Sequence, residues 1–412
     1  MERIDATYLS SFSFAIKKWK EIKSGFTHFA DGDVAMAKIT PCFQNRKSMI
    51  LKGLPNGIGA GTTELKVLRT YRNTISQEYL LFFLESPYFV EEASFKGTAN
   101  QQRIISGYLE NKLFPIPPRK EQDRIVAIIK SSFIVAERYD VAQNKQDLLN
   151  ASLNPLLKKS ILQEAIQGKL VPQDANDETA AVLLGRIRAE KYKLFSDGKI
   201  KSKDIVDSVI FKGEDNKYYE KLDGKTLEIS EEIPFDIPES WSWVRLGSVV
   251  TNEAGLAYSK DSLTDRSQPL IRVLRGGNIE EGRWSIKDDD VIISKKYVKE
   301  SLLLKRGTFI TPAVTSIERM AKTALIQEDH NDIVVGGFVL MIKPVIADNA
   351  LLQYLNLFFQ TTYYKKYCIS ITNKSGQAFY NLSRQKMMQC LVPIPPVGEQ
   401  LRISMKYSQL KL

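Results

Sequence analysis

An internal repeat constrains the fold of this chain more than any single motif does. Residues 115–118 have the sequence Pro-Ile-Pro-Pro, and the same four residues return 278 positions later at 393–396. A Tyr-Leu pair at 79–80 returns 275 positions later at 354–355. Because a repeated sequence usually encodes a repeated structural unit, we expect two similar domains in one chain.

A long helical pattern follows the first Pro-Ile-Pro-Pro. Proline is excluded from helix interiors, so we expect the helix to begin between Arg119 and Glu121. A four-three spacing of apolar residues then predicts a stripe that packs against another helix or a partner. Asn154 and Pro155 predict a break, after which a second helix ends at Gly168. The packing residues are Ile125, Ile128, Val135, Tyr139, Leu149 and Leu153.

The composition and charge of the chain indicate an ordinary globular protein and argue against several other classes. The 412 residues are 43% apolar and 26% charged, which is typical of globular domains. The sequence contains no run of 18 apolar residues and begins without a secretion leader, so we expect a cytoplasmic protein with no membrane span. The net charge of +10 is compatible with a polyanionic partner. Three cysteines without paired spacing and two histidines argue against a Cys/His metal site and a disulfide framework.

The rest of the chain divides into blocks of different character. Residues 1–113 alternate short strand patterns with turns, and a short buried helix is predicted at 79–84. A helix is predicted from Asn176 to Phe195, followed by a charged, irregular linker at 199–237. The second block begins at Ile237. We therefore expect a mixed α/β (α+β) fold.

Several motifs together resemble the specificity (S) subunit of type I restriction-modification enzymes, over almost the whole chain. The first is Pro-Ile-Pro-Pro with the Glu-Gln and Arg-Ile pairs that follow it. The second is Ser-Ile-Leu-Gln-Glu-Ala-Ile-Gln-Gly-Lys-Leu-Val. The third is Ile-Pro-Glu leading into Trp-Ser-Trp-Val-Arg-Leu-Gly, and the fourth joins Asp-Val to Ala-Lys-Ile-Thr-Pro-Cys-Phe. The first motif lies at residues 115–125, the second at 160–171, the third at 237–247 and the fourth at 33–43.

The resemblance implies two target-recognition domains separated by long antiparallel helical, coiled-coil regions. It implies double-stranded DNA, methyltransferase (M) subunits and a restriction (R) subunit as partners. The expected parts are a first recognition domain at 1–113, a central helical region at 114–170, a helix and linker at 171–236, a second recognition domain at 237–391 and a second helical region at 392–412. In the second block Trp241 lies 66 residues before Gly307. Only 31 residues precede Gly32, the counterpart of Gly307 in the first block, so we expect the first recognition domain to be shortened. We likewise expect the second helical region to be incomplete.

No set of residues in the sequence indicates catalysis. Asp223-Gly224-Lys225-Thr226 resembles the end of a Walker A loop, but Tyr219 occupies the place of its first glycine. A methyl-donor loop and an amine-holding Pro-Pro-aromatic motif are both missing. Three consecutive aspartates at 288–290 are more typical of a solvated loop than of a metal site. We expect no catalytic residue, no metal, no cofactor and no small-molecule substrate.

The DNA-binding candidates lie in the two globular blocks. Asparagine and glutamine can contact adenine edges, arginine can contact guanine, and lysine or threonine can contact phosphates. The first-block candidates are Lys38, Thr40, Asn45, Arg46, Lys47, Lys96, Asn100, Gln101, Gln102 and Arg103. The second-block candidates are Arg272, Arg275, Asn278, Thr315, Arg319, Lys322, Lys374 and Gln377.

Two alternatives from other classes stay open. The chain could be a scaffold that holds partner subunits through the helical stripe without contacting DNA bases. It could also be a fused DNA methyltransferase or nuclease, against which the missing donor loop argues. Joint substitution of Gln101 and Gln377 distinguishes recognition from scaffolding, because a scaffold would be unaffected.

Overall fold

The structure is a computed structural model that describes residues 3–6, 8, 11–98, 101–202, 205, 208–222, 224–375 and 378–410. The chain divides into two compact units, Met1–Asp147 and Leu148–Leu412. Both units mix helices and strands, as the sequence predicts for a mixed α/β fold.

The first unit is built on a small antiparallel sheet and the helices beside it. Its helices are α1 (Trp19–Ile22), α2 (Gln77–Glu85), α3 (Pro87–Val90), α4 (Ser106–Asn111) and the first part of α5 (Arg119–Ile166). Its strands are β1 (Thr27–Ala30), β2 (Val34–Ala37), β3 (Ser48–Ile50), β4 (Ile58–Gly61), β5 (Leu65–Leu68), β6 (Phe95–Thr98) and β7 (Gln101–Ile104).

The central strand of this unit is β2, which pairs with β3 on one side and β5 on the other. All four residues of β2 are buried, as expected for an apolar strand that is covered on both faces. Helix α2 begins at the N-cap Ser76, whose hydroxyl accepts a hydrogen bond from the Tyr79 amide. It then buries Leu81 and Leu84 in the same cluster as Val34. The predicted short buried helix is confirmed.

The second unit is larger and follows the same plan with additional elements. Its helices after α5 are α6 (Ala180–Ser196), α7 (Leu246–Val249), α8 (Lys260–Thr264), α9 (Asn349–Phe358), α10 (Thr362–Ser370), α11 (Arg384–Met387) and α12 (Val397–Gln409). Its first strands are β8 (Ser208–Lys212), β9 (Tyr218–Leu222), β10 (Lys225–Glu228), β11 (Ser242–Arg245), β12 (Val250–Ala254), β13 (Leu270–Leu274), β14 (Ile279–Glu280), β15 (Arg283–Trp284) and β16 (Val291–Ser294). The remaining strands are β17 (Phe309–Pro312), β18 (Val314–Thr315), β19 (Ala324–Leu325), β20 (Ile333–Val335), β21 (Val339–Pro344), β22 (Thr372–Ser375), β23 (Phe379–Leu382) and β24 (Leu391–Ile394).

Helix α9 and the sheet with strand order β12-β21-β17-β19 contribute to the main core of the second unit. The sheet with strand order β16-β13-β20 packs in two smaller clusters. Tyr354 and Phe358 of α9 are fully buried, and Phe359 next to them is 2% exposed. These aromatic residues are therefore core residues: Phe359 packs against Phe358 and Phe309, and Tyr354 packs against Trp241.

The same hydrogen bonds recur in both copies of the repeat. The Tyr79 hydroxyl donates to the Pro115 carbonyl at 3.0 Å, and its counterpart Tyr354 donates to Pro393 at 2.5 Å. The amide Nε2 of Gln122 donates to the Pro117 carbonyl at 2.9 Å, and Gln400 repeats this bond to Pro395 at 2.8 Å. The repeated motif thus supplies proline carbonyls to one tyrosine and one glutamine in each unit.

The long helix α5 begins at Arg119, as predicted from the prolines before it. The predicted break at Asn154-Pro155 is wrong, since Pro155 lies inside the continuous helix. Proline removes one backbone donor, and the helix continues past that lost hydrogen bond to Ile166. Gly168 ends it with a φ of +70°, a backbone region that favours glycine.

Two other predictions for the segment after α5 need correction. Helix α6 starts at Ala180 rather than near Asn176, because Asn176 bonds to Asp174 and Asp177 pairs with Arg402. The stretch at 199–237, predicted as an irregular linker, contains the antiparallel meander β8-β9-β10. Its buried face carries Glu220, whose carboxylate is matched by Arg245 at 2.6 Å. The charged segment 199–237 therefore forms a sheet, and the ion pair of Glu220 with Arg245 occupies a buried position where apolar side chains would otherwise pack.

The last helix of the second unit, α12, has 13 residues, compared with 48 in α5. Within the part of the chain that the structure describes, no helix has the length and apolar character that crossing a membrane requires.

Candidate nucleic-acid interface

A β-hairpin is held in the same way in each unit. In the first unit, β6 and β7 form the hairpin, and the Ile104 amide donates to the Lys38 carbonyl at 2.9 Å. In the second unit, β22 and β23 form it, and the Leu382 amide donates to the Ala313 carbonyl at 2.8 Å. These pairs of residues are counterparts in the repeat, so the hairpin belongs to the shared fold.

Alternation along the strands divides the first hairpin into two faces. Phe95 and Ile104 lie opposite each other and pack against the core. Lys96 and Arg103 are the next pair, so they share the outward face. Both are exposed. The predicted cations Lys96 and Arg103 therefore lie together on one surface.

Arg103 is oriented by Glu64. The guanidinium donates to both carboxylate oxygens, with its shortest contact at 2.6 Å. These hydrogen bonds lower the pKa of Glu64 and raise that of Arg103. Both groups consequently stay charged at neutral pH, and a phosphate or guanine must compete with Glu64 for Arg103.

The second hairpin presents different chemistry on its outward face. Leu382 and Tyr380 face the core, so Asn373 and Asn381, which lie opposite each other, are on the other side together with Phe379. Both asparagines are exposed, and Phe379 is 55% exposed. Asn381 and Phe379 were missed by sequence reasoning, and Asn373 was not among its chosen candidates. The strand alternation identifies all three once the hairpin is known.

Lys374 is exposed, but its partner across the hairpin is Tyr380, so its side chain leaves the strand on the inner face of the second hairpin. Asn100 and Gln377 lie outside the described residues. Gln101 belongs to β7 by its backbone, where it pairs with Thr98.

Lys38 and Thr40 hold the second strand of the hairpin, whereas Arg46 donates to helix α2. The Thr40 amide donates to the Gln102 carbonyl at 2.8 Å, and the Gln102 amide donates to the Thr40 hydroxyl at 3.1 Å. Lys38 contributes its carbonyl, and Arg46 donates to the Glu85 carbonyl at 2.8 Å. Among the remaining two, Asn45 is exposed and Lys47 is half-buried.

The second-block candidates near residue 290 form an ion-pair cluster. Arg272 pairs with Asp290 at 3.2 Å, and Arg275 pairs with Asp289 at 2.7 Å. Asn278 is 1% exposed and donates to Asp290 at 2.6 Å. Burial alone would raise the pKa of Asp290, but the bonds from Lys287, Asn278 and Arg272 outweigh it and lower the pKa. The prediction of a solvated loop is therefore wrong for Asp290, which is a structural anchor.

Two more cations of the second block share one carboxylate. Lys322 bonds to Glu280 at 2.5 Å, and Arg319 lies 3.5 Å from it. The bond from Lys322 lowers the pKa of Glu280. Thr315 is 6% exposed in β18, so it lies below the surface. The structure does not bring these residues onto the outward face of the hairpin.

The packing stripe of α5 is exposed along most of its length. The most exposed of its predicted residues are Tyr139 at 68% and Ile128 and Val135 at 64%, while Leu149 and Leu153 are each 59% exposed. Ile125 is half-buried. Among the described residues, no group of three Cys, His, Asp or Glu side chains is placed to hold a metal ion.

Comparisons with known proteins give a consistent result. No protein-family model matches the chain. It is 31% identical to the type I restriction enzyme EcoAI specificity subunit of Escherichia coli, covering all of this chain and 72% of that protein. It is 27% identical to the EcoEI specificity subunit of the same species, covering 94% and 69%. The fold resembles the HsdS subunit from Thermoanaerobacter tengcongensis with a TM-score of 0.50 at 16% identity, covering 100% and 81%.

Proposed function

The chain belongs to the specificity subunits of type I restriction enzymes, and from that premise we propose that it selects a DNA target in two parts, one with each unit. The observation that carries the proposal is the pair of hairpins. They are attached to the shared fold by the same hydrogen bond, but their outward faces carry different side chains. The same hydrogen-bonded attachment with different outward side chains suits two domains that recognise different half-sites.

The first hairpin is suited to an acidic or guanine-containing surface. Lys96 can contact a phosphate, and Arg103 can contact either a phosphate or the two acceptors of guanine. Glu64 keeps the guanidinium extended in the absence of DNA. We assign affinity mainly to such cations and expect it to fall with salt concentration.

The second hairpin is suited to base edges. Asn373 and Asn381 each offer one donor and one acceptor, the pair that matches the N6 and N7 positions of adenine. Phe379 offers an apolar ring for a thymine methyl group. Specificity in this unit would then come from amides rather than from the ion-paired arginines.

The exposed stripe of α5 is assigned to partner subunits. An apolar stripe at helical spacing that faces solvent is typical of a surface that another helix covers. We assign it to the methyltransferase subunits, with the restriction subunit joining the larger complex. Methylation and cleavage would then be carried out by those subunits, in the cytoplasm where the chromosome lies.

The stripe alone also suits a scaffold that does not contact bases, and one experiment separates the two functions. The double variant Asn373→Ala/Asn381→Ala should lose about tenfold or more in affinity for the target duplex, because a bidentate amide contact to a base is removed. It should still co-purify with the methyltransferase subunit.

Two variants serve as controls for this experiment. Asn150→Ala removes an exposed asparagine of α5 and should bind DNA normally. Leu149→Asp/Leu153→Asp should lose the methyltransferase subunit. Unchanged DNA affinity in the double hairpin variant would favour the scaffold.

A further inference from the structure

A cavity of about 210 Å³ lies in the second unit, between helix α6 and the strands β8 and β11. Its walls are mainly apolar and include Leu184 and Ile187 of α6, Ile210 of β8 and Val244 of β11. An engineered apolar cavity of about 150 Å³ admits benzene. The cavity of this chain therefore has room for an organic molecule of about ten non-hydrogen atoms.

Two buried polar groups belong to residues that line this cavity and have no hydrogen-bond partner. Trp243 of β11 is 2% exposed, and its indole Nε1 bonds to no atom of the described residues. The hydroxyl of Ser248 in α7 is buried as well and is likewise unpartnered within the part of the chain that the structure describes. Because a buried polar group without a partner is costly, two of them at one cavity indicate a ligand that supplies the missing partner.

The polar groups at the cavity are mainly donors. An indole N–H can only donate, and a serine hydroxyl can donate as well as accept. Lys191, 4% exposed, also lines the cavity, and its ammonium group donates to the carbonyl of Gly247, the residue before Ser248. Arg188 adds a second cation to the lining. A negatively charged oxygen is the atom that this set of groups favours.

Gly185 of α6 lies at the mouth of the cavity. It is exposed, and no described atom lies within 4 Å of the position that a Cβ atom would take there. Glycine weakens the interior of a helix relative to alanine. An alanine would thus fit this position and favour α6, whereas the glycine leaves the mouth of the cavity open.

We propose that this cavity binds a small carboxylate with an apolar body, such as an aromatic acid. The carboxylate accepts hydrogen bonds from the Trp243 indole and the Ser248 hydroxyl, and the apolar body lies against Leu184, Ile187 and Val244. The molecule is a bound ligand and not a substrate. The described lining includes no residue of the hairpin β22-β23, so the proposal does not depend on DNA recognition by that hairpin.

Benzoate is the probe for this site on the full chain, and benzylamine, which has the same ring and the opposite charge, is its control. The chain contains four tryptophans, so labelling tryptophan with an isotope of nitrogen that NMR detects gives four indole N–H signals. The signal that is lost in Trp243→Phe identifies Trp243. We expect benzoate to shift this signal saturably and benzylamine to leave it unchanged, because only the carboxylate accepts a hydrogen bond from the indole.

Variants measured by isothermal titration calorimetry locate the ligand, and urea unfolding checks that each variant is folded. Trp243→Phe and Ser248→Ala should each weaken benzoate binding about tenfold, because each removes a hydrogen bond to a charged group. Gly185→Leu fills the mouth and should weaken binding about tenfold or more, whereas Ala189→Leu, on an exposed part of α6 outside the described lining, should have no effect.

Three results would overturn the proposal. The first is the absence of saturable benzoate binding or of a shift in the Trp243 signal, which would leave the cavity to water alone. The second is equal binding of benzylamine, which would remove the role of the carboxylate. The third is equal weakening by Gly185→Leu and Ala189→Leu, which would place the benzoate elsewhere.

Discussion

Replacing Glu64 by glutamine should strengthen the binding of DNA to the first unit. Glu64 holds the guanidinium of Arg103 with a shortest contact of 2.6 Å on the outward face of the hairpin. A DNA phosphate has to displace this carboxylate, and Glu64 also repels the phosphate directly. Exposed ion pairs of this kind are weak, so removing the competitor should raise affinity about two- to fivefold.

The assay is fluorescence anisotropy with a labelled duplex, over a series of salt concentrations and with the methyltransferase partner present. If Arg103 gains one phosphate contact, the slope of log affinity against log salt should steepen by about 0.9. Glu137→Gln changes the net charge by the same amount on exposed α5 and serves as the control.

Two results would refute this reasoning. Equal affinity for Glu64→Gln and Glu137→Gln would mean that Arg103 does not face DNA. Weaker binding with a lower unfolding temperature would mean that the pair mainly supports the hairpin.

The other predictions concern stability and are measured by urea unfolding followed by tryptophan fluorescence. Ile394→Ala should destabilise by about 2–5 kcal/mol because the side chain is fully buried, whereas Ile116→Ala, 64% exposed, should stay within about 0.5 kcal/mol; equal effects would contradict this difference in burial between the two copies of the repeat. Arg245→Met should cost about 3–5 kcal/mol by leaving Glu220 buried without its cation, and adding Glu220→Leu should restore most of it. Burial raises the pKa of Glu399 in the folded state, so its contribution to stability is fully present below the pKa of an unfolded glutamate and is lost as pH rises through the raised pKa. Glu399→Gln should abolish this loss. Unfolding free energies that change with pH in the same way for both proteins would be the contrary result.

The repeat, the start of α5 and the short buried helix α2 were predictable from sequence because each depends on local rules. Proline is excluded from helix interiors, and a short apolar run such as 79–84 is typical of a buried element. The family resemblance was carried by the same motifs. The curated relatives confirm it with 31% and 27% identity.

The candidate site was harder to predict, because side-chain partners depend on contacts between distant segments. Arg272 is an attractive DNA ligand by residue type, but its partner Asp290 is 18 positions away and reaches it only in the folded sheet. Asn381 was missed because the phase of a strand decides which residues face outward, and this phase follows from the hairpin register. The continuous helix through Pro155 was missed because a local breaker was given more weight than the helix around it.

Mapping methylated bases in cells that carry this chain and its methyltransferase partner tests the central proposal most directly. Recognition by two separate units predicts two short specified tracts at a fixed separation with unspecified base pairs between them. Asn373→Ala/Asn381→Ala should relax one tract and leave the other unchanged. A single continuous tract, or relaxation of both tracts together, would contradict recognition by two separate units.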